Sequence, residues 1–449
     1  MDGQSPPAPQ VSFGELFRTF CKIGLLGFGG PAGQIALMHR VLVEEKRWIG
    51  EGRFLHALNY CMLLPGPEAQ QLATYIGWML HRTRGAIAAG LLFILPGFFI
   101  IVALSTAYML FHQTAWLGTV FFGLKAAVLA IVVEALLRVA KRALRTRLMV
   151  AVAALAFLAL FLFRVPFPLV IASAGIVGYL VARIRPDLLA PPAGHGAPAG
   201  PEAIDALPPV RPTWRRALGI TAVWAGIWAS LPLVLMALFG WDSVYAPIAL
   251  FFSKMAVVTF GGAYAVLSYV AQEAVGTYGW LQPGEMLDGL ALAETTPGPL
   301  ILVLTFVGFI AGFRDAAGLD PLTGGLLGAL LATWVTFVPC FLWILLGAPY
   351  VEHLLGNRAL TLALGAVTAA VVGVILNLAL WFGLHVLFAA HRPMSLGPLV
   401  LDLPVPSSLD PVALLLAAAA MIALLRLKWG VLPVLGGCAV AGAAMRLIA

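Results

Sequence analysis

The sequence predicts an all-α polytopic membrane protein built from two homologous halves arranged as an inverted repeat. Of its 449 residues, 61% are hydrophobic and only 10% are charged, and the mean hydropathy is +0.97. Apolar stretches of about 18 or more residues recur along the chain, and each is long enough to cross a hydrocarbon core of roughly 30 Å. The lipid bilayer is therefore the expected environment.

The evidence for two halves is a pattern that occurs twice, 232 residues apart. Residues 22–31 read KIGLLGFGGP, and residues 254–263 read KMAVVTFGGA. At the same offset Trp48 is matched by Trp280, and the Pro-Gly-Pro at 65–67 by the one at 297–299. One register held over this length indicates a tandem duplication, which places the functional site where the halves meet.

Each copy opens with two interrupted apolar segments. Segment A (13–39) is broken at a Gly-Gly, and segment B (52–81) at the Pro-Gly-Pro. Segments A′ (245–271) and B′ (284–311) repeat this arrangement. The remaining apolar stretches predict ordinary helices at 85–111, 117–138, 148–163, 167–183, 214–238, 322–348, 359–388, 409–426 and 430–446.

The proline-rich stretch between the halves divides the chain into three parts. Residues 186–213 contain eight prolines and predict a disordered linker. The expected organisation is a first repeat at 1–185, this linker, and a second repeat with one extra helix at 214–449.

Basic residues predict the orientation. If segments A, B, A′ and B′ each enter and return while the other helices cross, the loops on one side hold 19 of the 27 Lys and Arg residues. That side is then cytoplasmic, so the net charge of +7 is a topology signal and no nucleic-acid partner is expected. The extra helix inverts the second half relative to the first. Charge counting leaves open that A and A′ are broken helices that cross.

The breaks predict an anion site. Gly-Gly allows positive φ and close approach of the backbone to a ligand, and a helix that restarts at proline points free N–H groups into the membrane. Together with Lys22 and Lys254, such helix ends suit a small oxyanion. Alternatively, the lysines extend to an interface and the breaks are packing kinks.

Other intramembrane charges are candidates for coupling or contact. Glu68, Glu134 and Glu294 are possible coupling carboxylates, and Arg18 is a possible anion contact. Helix-end charge pairing or a salt bridge also accounts for Glu68, and interfacial placement accounts for Arg18. Lys125 is a possible partner of Glu134, although a separation of nine residues is too long for one helix face.

The sequence offers no enzyme signature. The four cysteines lie in apolar segments without a CxxC spacing, and the histidines match no metal-site spacing. HExxH, GxSxG and phosphate-binding glycine loops are absent from the sequence. No catalytic residue, metal or cofactor is therefore expected, and an intramembrane enzyme stays the different-class alternative.

The motifs themselves resemble the chromate transporter family, specifically its long-chain, two-domain branch. The resemblance rests on FGGP at 28–31, LPGPEAQQ at 64–71, YIGW at 75–78, FGG at 260–262, TPGPL at 296–300 and FVG at 306–308. It covers about residues 11–184 and 243–446. It implies a carrier in the bacterial inner membrane that expels chromate and also recognises sulfate, driven by the membrane potential or a proton gradient.

The resemblance also carries residue expectations. Another oxyanion, such as sulfate itself, is an alternative physiological substrate, and a homodimer is a possible assembly. The substrate-binding positions implied by the motifs, taken with the two lysines, are Lys22, Phe28, Gly29, Gly30, Pro65, Gly66, Pro67, Lys254, Phe260, Gly261, Gly262, Pro297, Gly298 and Pro299.

Overall fold

The protein is an assembly of long and half-length helices. The computed structural model describes residues 11–111, 114–189, 213–260, 262–351, 357–396 and 399–448. Most of the predicted linker, residues 190–212, lies outside the described residues. The first half contains α1 (Phe13–Leu26), α2 (Gly30–His39), α3 (Glu51–Cys61), α4 (Glu68–Phe111), α5 (Ala115–Ala143), α6 (Arg147–Phe163) and α7 (Phe167–Ile184).

The second half repeats this order after one additional helix. It contains α8 (Trp214–Phe239), α9 (Tyr245–Val258), α10 (Ala263–Gln272), α11 (Pro283–Thr295), α12 (Val303–Arg314), α13 (Pro321–Gly347), α14 (Arg358–Leu387), α15 (Pro411–Met421) and α16 (Val431–Ile448). Six helices are long and apolar enough to cross a membrane, namely α4, α5, α7, α8, α13 and α14. The prediction of an all-α polytopic membrane protein is confirmed in this form.

One element was not predicted. Strands β1 (His391–Leu396) and β2 (Leu399–Pro404) form an antiparallel hairpin between α14 and α15, with His391 paired to Pro404. Prolines at 393, 398, 404 and 406 prevent helix formation in this connection. The stretch is too short to stand out from the surrounding apolar sequence, so the helix-only prediction missed it.

The interrupted segments of the first half enter and return at one end. Helices α1 and α2 have 14 and 10 residues, which gives them lengths of about 21 and 15 Å, too short for either to cross alone. Lys46 after α2 forms an ion pair with Glu15 near the start of α1, at 2.9 Å. His81 Nε2 lies 2.8 Å from the Val11 carbonyl oxygen. The ends of segments A and B therefore lie together.

Segment B is separated from the spanning helix by a kink inside α4. His81 and Arg82 have non-helical backbone angles, with a φ of 52° at Arg82. The helix restarts immediately and continues to Phe111. This kink agrees with the short loop that the basic residues predict at 82–84.

The second half has the same arrangement at another place in the molecule. Arg314 at the end of α12 donates to a Glu285 carboxylate oxygen at 2.6 Å and to the Trp280 carbonyl at 2.7 Å. Tyr245 at the start of α9 interacts electrostatically with Asp315. The ends of segments A′ and B′ therefore lie together as well.

The two sets of segment ends contact opposite ends of α4. His81 at the kink contacts the first set, whereas Tyr108 near the C-terminal end donates to Asp288 of α11 at 2.9 Å. The 27 residues from Arg82 to Tyr108 span about 39 Å as a helix. The interrupted segments of the two halves thus open toward opposite ends of this spanning helix.

The long helices of each half pack against the terminal helices of the other. Helix α5 packs against α15 and α16, and α14 packs against α6 and α7. At Gly123 of α5 an added Cβ would lie 1.9 Å from the Cys438 carbonyl oxygen. Small residues thus allow the close backbone approach that holds helices together in lipid.

The hydrophobic interior of the described residues has two large clusters and two small ones. The main cluster joins the second half with α5, α6 and α7. A second cluster joins α1, α2 and α3 to the first part of α4 and to the end of α13. The interrupted segments of the first half therefore form a packing unit beside the main core.

Candidate functional site

The four breaks are joined by two backbone hydrogen bonds that cross between the halves. The N–H of Gly66 in segment B donates to the Thr259 carbonyl in segment A′, at 2.7 Å. The N–H of Gly298 in segment B′ donates to the Gly27 carbonyl in segment A, at 2.9 Å. Both pairs are related by the 232-residue offset of the repeat. The breaks of the two halves therefore meet in the middle of the molecule.

Glycine is required in these breaks because the backbone adopts positive φ. The φ angles are 121° at Gly66, 99° at Gly262 and 105° at Gly298, values that side-chain-bearing residues rarely adopt. Gly29 and Gly30 are also positive, at 83° and 66°. The predicted interruptions are therefore real departures from helical geometry.

Glutamines of α2 and α4 brace two of the breaks. Gln34 donates from Nε2 to the Gly27 carbonyl at 3.1 Å and also to the Gly298 carbonyl. Gln71 donates to the Pro65 carbonyl at 2.7 Å. Both side chains are buried. Backbone carbonyls that lose their helical hydrogen bonds at the breaks thus accept hydrogen bonds from side-chain amides. Backbone polar groups inside a membrane require such partners.

Charged and polar side chains collect at these breaks, and we call them the polar cluster. Its tyrosine donates to a carboxylate: the Tyr264 hydroxyl lies 2.5 Å from Glu294 Oε1. Glu294 is 3% exposed. Both groups interact electrostatically with side chains of α5. The polar cluster consists of Glu68, Glu134, Arg138, Arg142, Tyr264 and Glu294.

The carboxylate of Glu68 approaches the break of segment A′. Glu68 is the first residue of α4, and one of its oxygens lies 3.5 Å from where a Cβ on Gly262 would stand. The Arg142 guanidinium interacts electrostatically with it. Arg142 also contacts the Met62 sulfur, at 4.0 Å. Glu68 therefore faces a break of the other half and a basic residue of α5.

Glu134 and Arg138 form an ion pair one turn apart on α5. Arg138 Nε donates to Glu134 Oε1 at 3.1 Å, and Nη2 donates to Oε2. The suggested pairing of Glu134 with Lys125 is wrong, because Lys125 pairs with Asp288 at 3.2 Å. Glu134 and Glu294 are thus brought near Arg138 and Tyr264, whereas Glu68 lies near Arg142, one turn further along α5.

The equivalent positions in the repeat lack this chemistry. At the 232-residue offset, Glu68 corresponds to Leu300, Tyr264 to Ala32, and Glu294 to Met62. The backbone at the breaks is duplicated, but these three polar side chains are present at only one of each pair of related positions. The polar cluster is therefore the asymmetric feature of an otherwise repeated core.

The two repeat lysines and Arg18 lie on the surface. Lys22 and Arg18 are exposed on α1. Lys254 is exposed on α9, where its Nζ lies 3.2 Å from the Tyr269 hydroxyl and 5.3 Å from the ring centroid. No described contact joins these residues to the polar cluster, and their role as anion contacts stays a prediction.

The remaining motif residues line the breaks. Phe28 and Phe260 are half-buried, as is Pro65. Gly261 lies outside the described residues. The residues that are buried at the breaks are Gly66, Pro67, Pro297, Gly298 and Pro299.

Sequence reasoning missed Arg138, Arg142 and Tyr264. The predicted helix at 117–138 ended too early, which assigned the two arginines to a cytoplasmic loop, whereas α5 continues to Ala143. The spacing of four residues between Glu134, Arg138 and Arg142 was a usable signal, because it places them near one another on a helix surface. Tyr264 directly follows the break, where the sequence analysis considered only backbone groups.

The described residues offer no alternative metal centre. Among them, no group of three or more His, Cys, Asp or Glu side chains is arranged to hold a metal ion. All four cysteines are free thiols. The polar cluster, in which cations and carboxylates are mixed, is therefore the site whose chemistry requires an explanation.

Comparison with known proteins identifies the family. A family model described as chromate transporter matches residues 14–179 and 246–443. The chain belongs to the chromate transporter family. Both matched regions contain the breaks and the helices that pack around them, so the polar cluster lies inside the part of the chain that defines the family.

Curated relatives cover most of both chains. The chain is 36% identical to a chromate transport protein of Pseudomonas aeruginosa over 82% of this chain and 80% of the relative. It is 30% identical to one of Cupriavidus metallidurans over 83% of each. An uncharacterized transporter of Methanocaldococcus jannaschii is 27% identical over 83% of this chain and 85% of its own length. No solved structure matches the chain.

Proposed function

We propose that this protein is a secondary transporter that exports chromate from the cytoplasm and also accepts sulfate, with the polar cluster as its substrate and coupling site. The observation that carries the proposal concerns the breaks, which are joined by two repeat-related backbone hydrogen bonds. The backbone of the breaks is duplicated, but the charged side chains beside them occur at only one of each pair of related positions. Two arginines and the first-turn N–H groups of the restarted helices are suited to donate to a tetrahedral oxyanion. Relatives named chromate transport proteins support the choice of oxyanion.

The architecture that we infer is an inverted repeat in the bacterial inner membrane. It is supported by the interrupted segments of the two halves, which reach opposite ends of α4. The basic residues of the loops support a cytoplasmic position for the ends of segments A and B. Substrate would then reach the breaks from either side in turn, which is how transporters with inverted repeats give alternating access.

Export needs no ATPase. A dianion that leaves a cell with a negative interior gains about 2.3 kcal/mol per charge per 100 mV, or roughly 4.6 kcal/mol in total. This energy corresponds to a concentration ratio of roughly a thousandfold. Glu68, Glu134 and Glu294 are the candidates for a proton that moves with the anion or against it. The membrane potential alone therefore suffices for export, and a proton gradient would add to it.

Two alternative functions differ from chromate export in substrate or in class. Another small oxyanion, sulfate first, would use the same donors as the physiological substrate. An intramembrane enzyme has less support, because a reactive nucleophile beside a general base is not seen among the described residues of the polar cluster. A homodimer is compatible with the exposed apolar surface of the helices.

The deciding experiment measures flux in proteoliposomes containing the purified full-length protein. We expect ⁵¹Cr-labelled chromate to move toward the positive compartment when a potential is imposed, and excess sulfate to reduce that movement. A matched set of vesicles with an imposed pH gradient separates proton coupling from potential. If chromate flux equals that of empty vesicles while labelled sulfate still moves, the chromate assignment is wrong. If neither anion moves, the transporter proposal fails.

A further inference from the structure

The ion pair of Glu134 and Arg138 is unusual in its position. Both ends of the Glu134 carboxylate are used, one by Nε and one by Nη2 of the Arg138 guanidinium. The side chains are 26% and 44% exposed, so the pair is open on one side. On its other side it lies within electrostatic range of Tyr264 and Glu294 at the breaks.

The contribution of this ion pair to the stability of the fold is too small to explain its presence at this position. An ion pair between residues four apart on a partly exposed helix surface changes a folding equilibrium by only about a factor of two. The contact can therefore open at little cost. What the pair does achieve is to satisfy the guanidinium fork within electrostatic range of Tyr264 and Glu294.

The geometry of the fork is the second part of the argument. A guanidinium presents parallel N–H donors that bind two oxygens of a carboxylate and equally two oxygens of a tetrahedral oxyanion. Glu134 occupies those donors in this structure. An arriving oxyanion would need the same donors, so the carboxylate and the substrate are competitors for one position.

We propose that Arg138 binds the transported oxyanion and that Glu134 is an internal counter-ion, which holds the guanidinium when the site is empty and is displaced by the substrate. This inference rests on the proposed function, since it names the residue that receives the anion. Arg142, one turn further along α5, supplies a second positive charge to the same face. The Tyr264 hydroxyl lies within electrostatic range of Arg138 and donates a hydrogen bond to Glu294.

The internal competitor also sets selectivity. At equal distance a dianion interacts with a guanidinium about twice as strongly as a monoanion does. A carboxylate therefore competes on equal terms with nitrate or chloride but is displaced by chromate or sulfate. Glu134 therefore lowers the occupancy of the site by abundant monoanions, and it lowers the affinity for dianions, which favours their release.

The test compares anion binding in four variants of the full-length protein in detergent. Sulfate and nitrate are titrated by isothermal calorimetry into Glu134→Gln, Arg138→Gln, Arg138→Lys and the double Glu134→Gln/Arg138→Gln variant. Arg183→Gln is the matched control, because Arg183 is an exposed arginine in the last turn of α7 that stacks on Tyr179.

We expect Glu134→Gln to tighten sulfate binding by at least about twofold, because the competing ion pair is removed, and to allow nitrate to compete. Arg138→Gln should weaken sulfate binding by at least about tenfold, and Arg138→Lys should be intermediate, because charge remains without the fork. The double variant should have the same sulfate affinity as Arg138→Gln, because the Glu134 carboxylate has no effect once the Arg138 guanidinium is absent. Arg183→Gln should bind as the unaltered protein does.

Unchanged or weaker sulfate binding in Glu134→Gln would overturn the counter-ion role, as would a gain in affinity that persists in the double variant. Should Arg138→Gln fail to fold, Glu134→Gln and Arg138→Lys still decide the question. Unaltered protein that binds neither sulfate nor chromate would count against the proposed function, whereas normal binding in every variant would count only against this inference.

Discussion

Glu294 is the most enclosed carboxylate of the polar cluster, and its only described hydrogen-bond donor is the Tyr264 hydroxyl. A carboxylate in this setting is suited to bind and release a proton as the surrounding charges change. If it couples transport to protons, its neutral amide analogue cannot change charge. Replacing the Glu294 carboxylate should therefore change the pH dependence of flux more than it changes folding.

We accordingly expect Glu294→Gln to insert normally and to transport chromate with a rate that no longer responds to an imposed pH gradient. Tyr264→Phe should retain the response and lose roughly tenfold in rate, because one donor disappears. Tyr179→Phe, an exposed tyrosine on α7, is the control. Stimulation of Glu294→Gln by the gradient to the usual extent would remove Glu294 from the coupling path.

The repeat lysines permit a second test at the residue scale. Lys254 is exposed and is held by Tyr269, and Lys22 is exposed on α1. On this geometry Lys22→Gln and Lys254→Gln should each change chromate flux per inserted molecule by less than about threefold. A direct contact with the anion would instead contribute ~1.5–3 kcal/mol, a change of roughly tenfold to a hundredfold in apparent Km. A loss of that size would return these lysines to the binding site.

At the scale of whole elements, the packing of α5 against α16 makes a prediction about stability. An added Cβ at Gly123 would stand 1.9 Å from the Cys438 carbonyl oxygen, whereas one at Gly118 meets nothing within 4 Å. Gly123→Ala should therefore lower the thermal unfolding temperature in detergent by several degrees. Gly118→Ala should raise it slightly, because alanine favours the helix by about 1 kcal/mol. Equal effects at the two positions would contradict this packing.

Much of the element order was predictable because its signals are local. Gly29-Gly30 and Pro65-Gly66-Pro67 interrupt apolar runs, and the repeat doubles the evidence for each break. The polar cluster was only partly predictable, because it forms where three interrupted segments and α5 converge. The sequence identified Glu68, Glu134 and Glu294 one at a time, but the partners of Glu134 and Glu294 depend on packing between distant segments.

Across the whole molecule, the proposed inverted repeat makes a direct prediction about topology. The end of α5 and the β-hairpin after α14 belong to loops that the model of basic residues places on opposite sides of the membrane. Single cysteines at 144 and 395, in a background without the four native cysteines, should react with impermeant reagents from opposite sides. Reaction of both from the same side would contradict the inverted arrangement and the access model built on it.

The central claim is that the oxyanion occupies the polar cluster beside α5 and not the break of segment A, where Ala32 lies. Met62 contacts Arg142 of the cluster, and Ala32 is the repeat equivalent of Tyr264. Both are exposed. The matched variants are therefore Met62→Cys and Ala32→Cys, each in a background without native cysteines.

The most direct measurement is the rate at which a charged methanethiosulfonate reagent modifies each cysteine, with sulfate or with gluconate at equal ionic strength. At a sulfate concentration about ten times its Kd, modification at position 62 should slow by about tenfold, because the site is occupied. Modification at position 32 should be unchanged. Protection at position 32 but not at 62, in protein that still transports, would contradict the account.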